Sequence, residues 1–137
     1  MRLMRSIAAI IAGLGFMAAT VTVGTLAASS VLGTGAAPGI ALTLALCANL
    51  LICGVGAVLG GWLAARIASY APYAHAAAMA AIVAVLSVLT ATGGPALEQP
   101  GWYPSALGLV AVIGVLLGGK LRAAASLADG RRAEAGA

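Results

Sequence analysis

Charged side chains are scarce in this chain, and long parts of it contain none. Only 7% of its 137 residues are charged, whereas 63% are hydrophobic. Soluble domains carry about 25% charged residues, so a water-soluble core does not account for this composition and a membrane protein is predicted. The same scarcity argues against an enzyme, because almost no ionisable group lies inside the apolar runs to supply paired catalytic groups.

Histidine, cysteine and phenylalanine are nearly absent as well. His75 is the single histidine, and Cys47 and Cys53 are the two cysteines. Six residues on a helix correspond to about 600° of rotation, so the two thiols point to different faces and cannot bridge each other. Haem or zinc would need further ligands at one depth, so we expect no metal and no cofactor. With Phe16 as the only phenylalanine, small residues are expected to set close helix spacing.

Acid–base catalysis by His75 with Glu98 is excluded by their placement. The third apolar run separates the two residues, which puts them on opposite membrane faces, about 30 Å apart. His75 is therefore interpreted as an interfacial residue, and Glu98 as a solvated loop tip or part of a vestibule that attracts cations. No catalytic residue is predicted.

Four apolar runs fill most of the sequence, and each approaches the roughly 20 residues that cross a bilayer core of about 30 Å. They predict an all-α, integral membrane four-helix bundle with helices at about 6–32, 40–67, 74–92 and 105–121. These form one domain, 1–122, followed by a cytoplasmic tail, 123–137, expected to extend the last helix briefly and fray at Asp129-Gly130. Cleavage of the first run as a signal peptide stays open, although its apolar part exceeds the usual length of about 7 to 15 residues.

Positive charge is confined to one side of this topology. The basic residues flank the runs at the same side: Arg2, Arg5, Arg66, Lys120, Arg122, Arg131 and Arg132. The loops at 33–39 and 93–104 contain no Lys or Arg. Because Lys and Arg are retained on the cytoplasmic side, both termini are expected there, in a multi-pass protein of the bacterial inner membrane. The lipid bilayer is then the first partner, and nucleic acid is excluded because the basic stripe it needs is absent.

The aromatic residues fall near predicted membrane interfaces, the level that Trp and Tyr prefer. Five of them are expected to act as interfacial anchors: Trp62, Tyr70, Tyr73, Trp102 and Tyr103. Pro104 suits the first turn of a helix, where its missing N–H is not needed. An aromatic platform for a ligand at Trp102 and Tyr103 is the alternative interpretation.

Small residues recur at helical spacing and predict faces on which helices approach closely. The glycines expected to pack in this way are Gly13, Gly24, Gly56, Gly60, Gly114 and Gly118. Gly114 and Gly118 form a literal G-x-x-x-G. These faces are expected to meet at the centre of the bundle.

Asn49 is the most polar side chain deep in any apolar run, where an unpaired amide is costly. We expect it to form an interhelical hydrogen bond to a hydroxyl such as that of Thr20, Thr22 or Ser87, or to a carbonyl. In the alternative, Asn49, Thr20 and Ser87 line a narrow polar pathway. Proton-coupled transport would lack its usual carrier, since no Asp, Glu, Lys or Arg accompanies them.

One resemblance can be drawn from the second half of the chain. The segment Gly60-Gly61-Trp62-Leu63-Ala64-Ala65-Arg66-Ile67-Ala68, followed by His75 and then Trp102-Tyr103-Pro104, resembles a group of small, uncharacterised four-helix bacterial inner-membrane proteins over residues 60–120. The resemblance implies a bacterial membrane setting and no activity. Small multidrug exporters have a similar size, but they carry a charged glutamate in their first helix that this chain lacks. Fluoride channels have asparagine-rich and phenylalanine-rich pore elements, and this sequence matches them only at Asn49.

Two functions follow as hypotheses from these residues. The first is a non-enzymatic membrane protein that acts by helix–helix association, as an accessory or scaffold subunit of a partner membrane protein. The alternative is a small channel or transporter, formed as a homo-oligomer, with a polar pathway near Asn49.

Overall fold

The computed structural model of the chain describes residues 2–32, 38–68, 71–93 and 100–136. Within these ranges the chain forms four helices: α1 (Arg2–Leu32), α2 (Pro38–Ala68), α3 (Pro72–Gly93) and α4 (Tyr103–Ala135). Each contains a segment long and apolar enough to cross a membrane: Met4–Ala27, Leu42–Ala68, Pro72–Thr90 and Tyr103–Arg132. The prediction of an all-α chain with four helices of membrane-spanning length is confirmed.

Three of the four helices have proline in their first or second position. α2 begins at Pro38, α3 at Pro72, and α4 places Pro104 directly after Tyr103. Proline fits there because its fixed φ is helical and its missing N–H is one that the first turn does not use. Ala71 precedes α3 with φ of 42°, a left-handed conformation that is uncommon for a residue with a side chain.

The chain after residue 122 differs from expectation. The structure continues α4 without interruption to Ala135, whereas the sequence predicted fraying at Asp129-Gly130. Alanine, leucine, arginine and glutamate are strong helix formers, and they outweigh the cost of about 1 kcal/mol that one glycine adds to a helix interior. Residues 123–135 are thus part of α4, and the apolar segment Tyr103–Arg132 includes most of them.

α2 lies at the centre of the arrangement. It packs extensively against α1 on one side and α4 on the other, and α3 packs mainly against α4. α1 and α3 make the least contact of the pairs that touch. The helices therefore form a bundle that is closed along three seams and only partly closed between α1 and α3.

The two halves of this bundle differ in packing. We call the half with residues 5–13, 57–68, 72–80 and 112–122 the basal half, and the half with residues 14–27, 42–56, 83–93 and 103–111 the open half. A continuous core cluster fills the basal half: Ala57, Ala64, Ala76, Met79, Ala80 and Val115. The open half has a smaller cluster, formed by Cys53, Val83 and Ala111.

Candidate functional site

Glycines bring the backbones together in the basal half. A Cβ built on Gly13 would lie 2.8 Å from the Gly60 carbonyl oxygen and 2.9 Å from both Ala64 Cβ and Met79 Sδ. These distances leave no room for a side chain, so α1 and α2 are in near contact at this level. A Cβ on Gly60 would in turn lie 2.8 Å from the Gly13 carbonyl oxygen.

A second glycine seam joins α2 to α4. A Cβ on Gly118 would overlap the Val58 carbonyl oxygen, and one on Gly114 would lie 2.7 Å from Ala57 Cβ. Gly61, which the sequence analysis did not select, faces the backbone of Val115 with the same closeness. The G-x-x-x-G motif of α4 is thus occupied by α2 of the same chain and is not free for another protein.

The two remaining predicted packing glycines face side chains of the neighbouring helix and not its backbone. A Cβ on Gly56 would make ordinary contact with Thr20 at 3.4 Å. A Cβ on Gly24 would overlap Ile52 Cγ2, so the branched Ile52 side chain would have to shift. Both positions lie in the open half, where backbone approach is less close.

His75 joins three parts of the chain in the basal half. Its Nδ1 lies 3.1 Å from the Ala71 carbonyl oxygen, which only accepts, so Nδ1 carries the proton in this geometry. In the neutral ring, Nε2 then accepts from the Ser6 hydroxyl at 3.0 Å, and this contact ties α1 to α3. Nearby, Arg5 Nε donates to the Ile67 carbonyl oxygen at 3.0 Å. His75 is buried within the bundle, and its expected position at a membrane interface stays a prediction.

Asn49 is the centre of a polar cluster in the open half that connects three helices. Thr25 on α1 donates its hydroxyl proton to Asn49 Oδ1 at 2.6 Å. Asn49 Nδ2 donates to the Tyr103 hydroxyl oxygen at the start of α4. We call Thr25, Asn49 and Tyr103 the polar triad. The triad gives both the oxygen and the nitrogen of the Asn49 amide a hydrogen-bond partner, and an unpaired amide at this depth would be costly.

The expected kind of bond, between Asn49 and hydroxyls of other helices, is present, but its partners are those of the polar triad and not the three named from the sequence. Thr20 donates to the carbonyl oxygen of Phe16 at 2.9 Å, and Ser87 donates to that of Val83 at 2.8 Å. Each hydroxyl therefore donates to a carbonyl oxygen of its own helix, and this local bond competes with a bond to another helix. Neither side chain joins Asn49 to form the predicted polar contact.

Tyr103 is a buried member of the polar triad, and its expected role as an interfacial anchor stays a prediction. Only 3% of its surface is exposed, because it turns into the bundle to reach Asn49. Its neighbour Trp102 stays 55% exposed and packs edge-on against the Tyr103 ring at 5.9 Å between centroids.

Two other predicted anchors, Trp62 and Tyr73, lie in the basal half. Tyr73 is half exposed, and Trp62 is partly buried with the Arg66 guanidinium 5.0 Å above its ring, within the range of a cation–π contact. Tyr70 and Glu98 lie outside the described residues.

A cavity of about 640 Å³ separates α1 from α3 in the open half. All four helices contribute to its wall, with Cys53 of α2 as part of the floor. Its deeper wall is apolar and includes Leu14, Val83 and Ala111, whereas hydroxyl groups line the part nearer the start of α4. We call it the α1–α3 cavity. The sequence did not indicate this cavity, since it depends on the limited packing between α1 and α3.

Metal binding finds no support among the described residues. In the ranges 2–32, 38–68, 71–93 and 100–136 no group of three or more His, Cys, Asp or Glu side chains lies close enough to hold an ion. Cys47 is exposed and Cys53 buried, and both are free thiols.

Comparison with known proteins adds no assignment. No protein-family model, no curated protein and no solved structure matches this chain. The class that the structure defines is an all-helical protein with four helices able to cross a membrane. The resemblance drawn from Gly60–Ala68 stays a prediction.

Proposed function

We propose that this chain is a non-enzymatic integral membrane protein that acts by association, as an accessory or scaffold subunit of a partner membrane protein. In this proposal it resides in a bacterial inner membrane with both termini in the cytoplasm. The arrangement of charge supports that orientation, since Arg5, Arg66 and Lys120 all lie at the end of the basal half.

The observation that carries the proposal is the way the polar side chains of the open half are paired. The polar triad closes Asn49 between Thr25 and Tyr103, and the hydroxyls of Thr20 and Ser87 bond to their own helices. Groups paired in this way are not arranged as a continuous polar path for a solute. The apolar outer surface is then the feature left to carry a function.

A shallow groove on that surface fits a partner helix. It lies along α2, where Cys47, Leu51, Val55 and Leu59 follow one another, and it has a volume of about 700 Å³. From residue 47 to residue 59 a helix rises about 18 Å, more than half of a bilayer core. Gly54 contributes no side chain to the groove, which lets another backbone approach as small residues do between membrane helices.

The test compares a variant that fills this groove with a control variant that carries the same substitution outside it. Gly54→Leu places a side chain in the groove, where only Val110 Cγ1 at 3.3 Å must adjust. Gly15→Leu is the control, because a Cβ on Gly15 meets nothing within 4 Å and lies outside the groove. Native mass spectrometry of protein extracted from its host in mild detergent should show one partner at fixed stoichiometry for the wild type and Gly15→Leu. The complex should be lost for Gly54→Leu.

Other outcomes of that experiment contradict the proposal. A complex that survives Gly54→Leu as well as Gly15→Leu would remove the groove as the docking site. A homo-oligomer without partners would replace the accessory subunit with the second candidate.

The second candidate is a small channel or transporter near Asn49, and the α1–α3 cavity is the observation that favours it. The cavity reaches Tyr103, whose hydroxyl accepts from Asn49, so the polar triad would close one end of a path through the open half. Several copies would be needed, because four helices with mostly small side chains enclose little space.

A further inference from the structure

We propose that the α1–α3 cavity binds one acyl chain of a membrane phospholipid. The ester end of the chain lies beside Thr22 and Thr90, and its methyl end lies against Leu14 and Ala111. This site is separate from the α2 groove proposed for a partner protein, since Cys53 is the only α2 residue in its wall and Gly54 is not part of it.

The polarity of the wall is graded along the membrane direction. Leu14, Val83 and Ala111 surround the deep part, and Thr22, Thr90 and Tyr103 surround the part nearer the ends of α1 and α3. A phospholipid chain has the same gradient, with ester oxygens at one end and hydrocarbon at the other. A purely apolar guest would leave the hydroxyls unused, and a polar solute would lie against the hydrocarbon wall.

The length of the cavity matches one leaflet. Its wall runs from Leu14 to Thr22 on α1 and from Tyr103 to Ala111 on α4. Eight residues of helix rise about 12 Å, and half of a bilayer core measures about 15 Å. A lipid in the adjacent leaflet can therefore place one chain in the cavity without leaving its normal depth.

The hydroxyl of Thr22 gives an independent reason to expect a ligand with an acceptor oxygen. Thr20 and Thr90 donate to carbonyl oxygens of their own helices. The Thr22 hydroxyl has no hydrogen-bond partner among the described residues. It lies in the cavity wall, five residues inside the end of the apolar segment Met4–Ala27. An ester carbonyl at this depth would accept its proton.

The wall offers a second donor of the same kind. The Tyr103 hydroxyl accepts from Asn49, and its own proton has no acceptor among the described residues. Tyr103 and Thr22 both belong to the polar part of the wall. An acceptor held between α1 and α4 would satisfy the two protons.

The test uses photoactivatable phospholipids and the full-length protein in vesicles. Two phosphatidylglycerol probes carry a diazirine on one chain, one close to the ester and one close to the methyl end, and labelled residues are mapped by mass spectrometry. We expect the first probe to label Thr22, Thr90 or Tyr103 and the second to label residues around Leu14 and Ala111. Ala18→Trp fills the cavity and should lower this labelling by about tenfold, because the indole occupies the space of the chain.

Two further variants keep the result interpretable. Ala19→Trp introduces the same side chain at the adjacent exposed residue, which lies outside the wall, and labelling should be unchanged. Thr22→Val keeps the shape of the side chain and removes its hydroxyl, so the two probes should no longer label different ends of the cavity. Total labelling should fall less than in Ala18→Trp.

Equal labelling of all lipid-exposed faces would overturn the proposal. So would equal labelling of Ala18→Trp and Ala19→Trp, since the lipid would then be ordinary surrounding lipid. Neither result concerns the partner protein, which the Gly54→Leu experiment tests separately.

Discussion

The basal and open halves of this protein are built from the same few residue types but are held together in different ways. In the basal half, glycine lets backbones touch, and Met79 and Val115 fill a continuous core with alanine. In the open half, a cavity lies between α1 and α3, and the polar triad connects α1, α2 and α4. Contact between backbones depends on the absence of side chains, whereas the triad depends on the presence of three particular ones.

The two halves are expected to contribute differently to stability and to function. The basal half has little internal space and is expected to be the part that fixes the fold. The open half contains the cavity and the triad, and it is there that a ligand or a change of shape has room. The two halves can be tested separately because each depends on residues that the other does not use.

The largest effect is expected from Gly118→Ala in the basal half. The added methyl would overlap the Val58 carbonyl oxygen and approach the Trp62 backbone nitrogen at 2.7 Å, so α4 must move away from α2. Overpacking of this kind costs about 1–3 kcal/mol, and we expect the upper end because the obstacle is backbone. Unfolding of the protein in mixed micelles, followed by tryptophan fluorescence, measures the loss.

Gly15→Ala is the control for that change. A Cβ at Gly15 meets nothing within 4 Å, so the free energy of unfolding should stay the same or rise slightly. If both variants lost equal stability, the close approach of α2 and α4 would not be what distinguishes the basal half.

A smaller effect is expected from Asn49→Leu in the open half. The change removes the amide that bridges Thr25 and Tyr103, and hydrogen bonds between membrane helices contribute about 0.6–2 kcal/mol. The same unfolding assay measures it. Thr20→Val is the matched control and should change little, because the Thr20 hydroxyl bonds only to its own helix.

A double-mutant cycle sharpens this second prediction. Asn49→Leu combined with Tyr103→Phe should show a coupling energy of about 0.5 kcal/mol or more, whereas Asn49→Leu combined with Thr20→Val should be additive. Additivity in both cycles would mean that the triad contributes nothing to holding the open half together.

The four helices were predictable because each apolar run has the length of a span and ends near turn-forming residues. The packing of α2 was only partly predictable. α2 is apolar all round and packs on two sides, so no single face of its sequence distinguishes Gly61 from its neighbours.

The polar triad was not predictable from the runs alone. Its formation depends on how far α2 is shifted along its axis relative to α4, which places Asn49 level with Tyr103. That shift is set by packing between helices and leaves no signal in the local sequence. The preference of tyrosine for interfaces gives no indication of the contact between Tyr103 and Asn49.

The central claim is that the protein acts by association and does not itself move solutes. The most direct test is the purified chain alone in liposomes, with light scattering after an osmotic shift to report the entry of small neutral and ionic solutes. This account predicts rates equal to those of protein-free liposomes for the wild type and for Asn49→Leu. Solute entry that the wild type supports and Asn49→Leu abolishes would contradict it and identify the open half as a transport path.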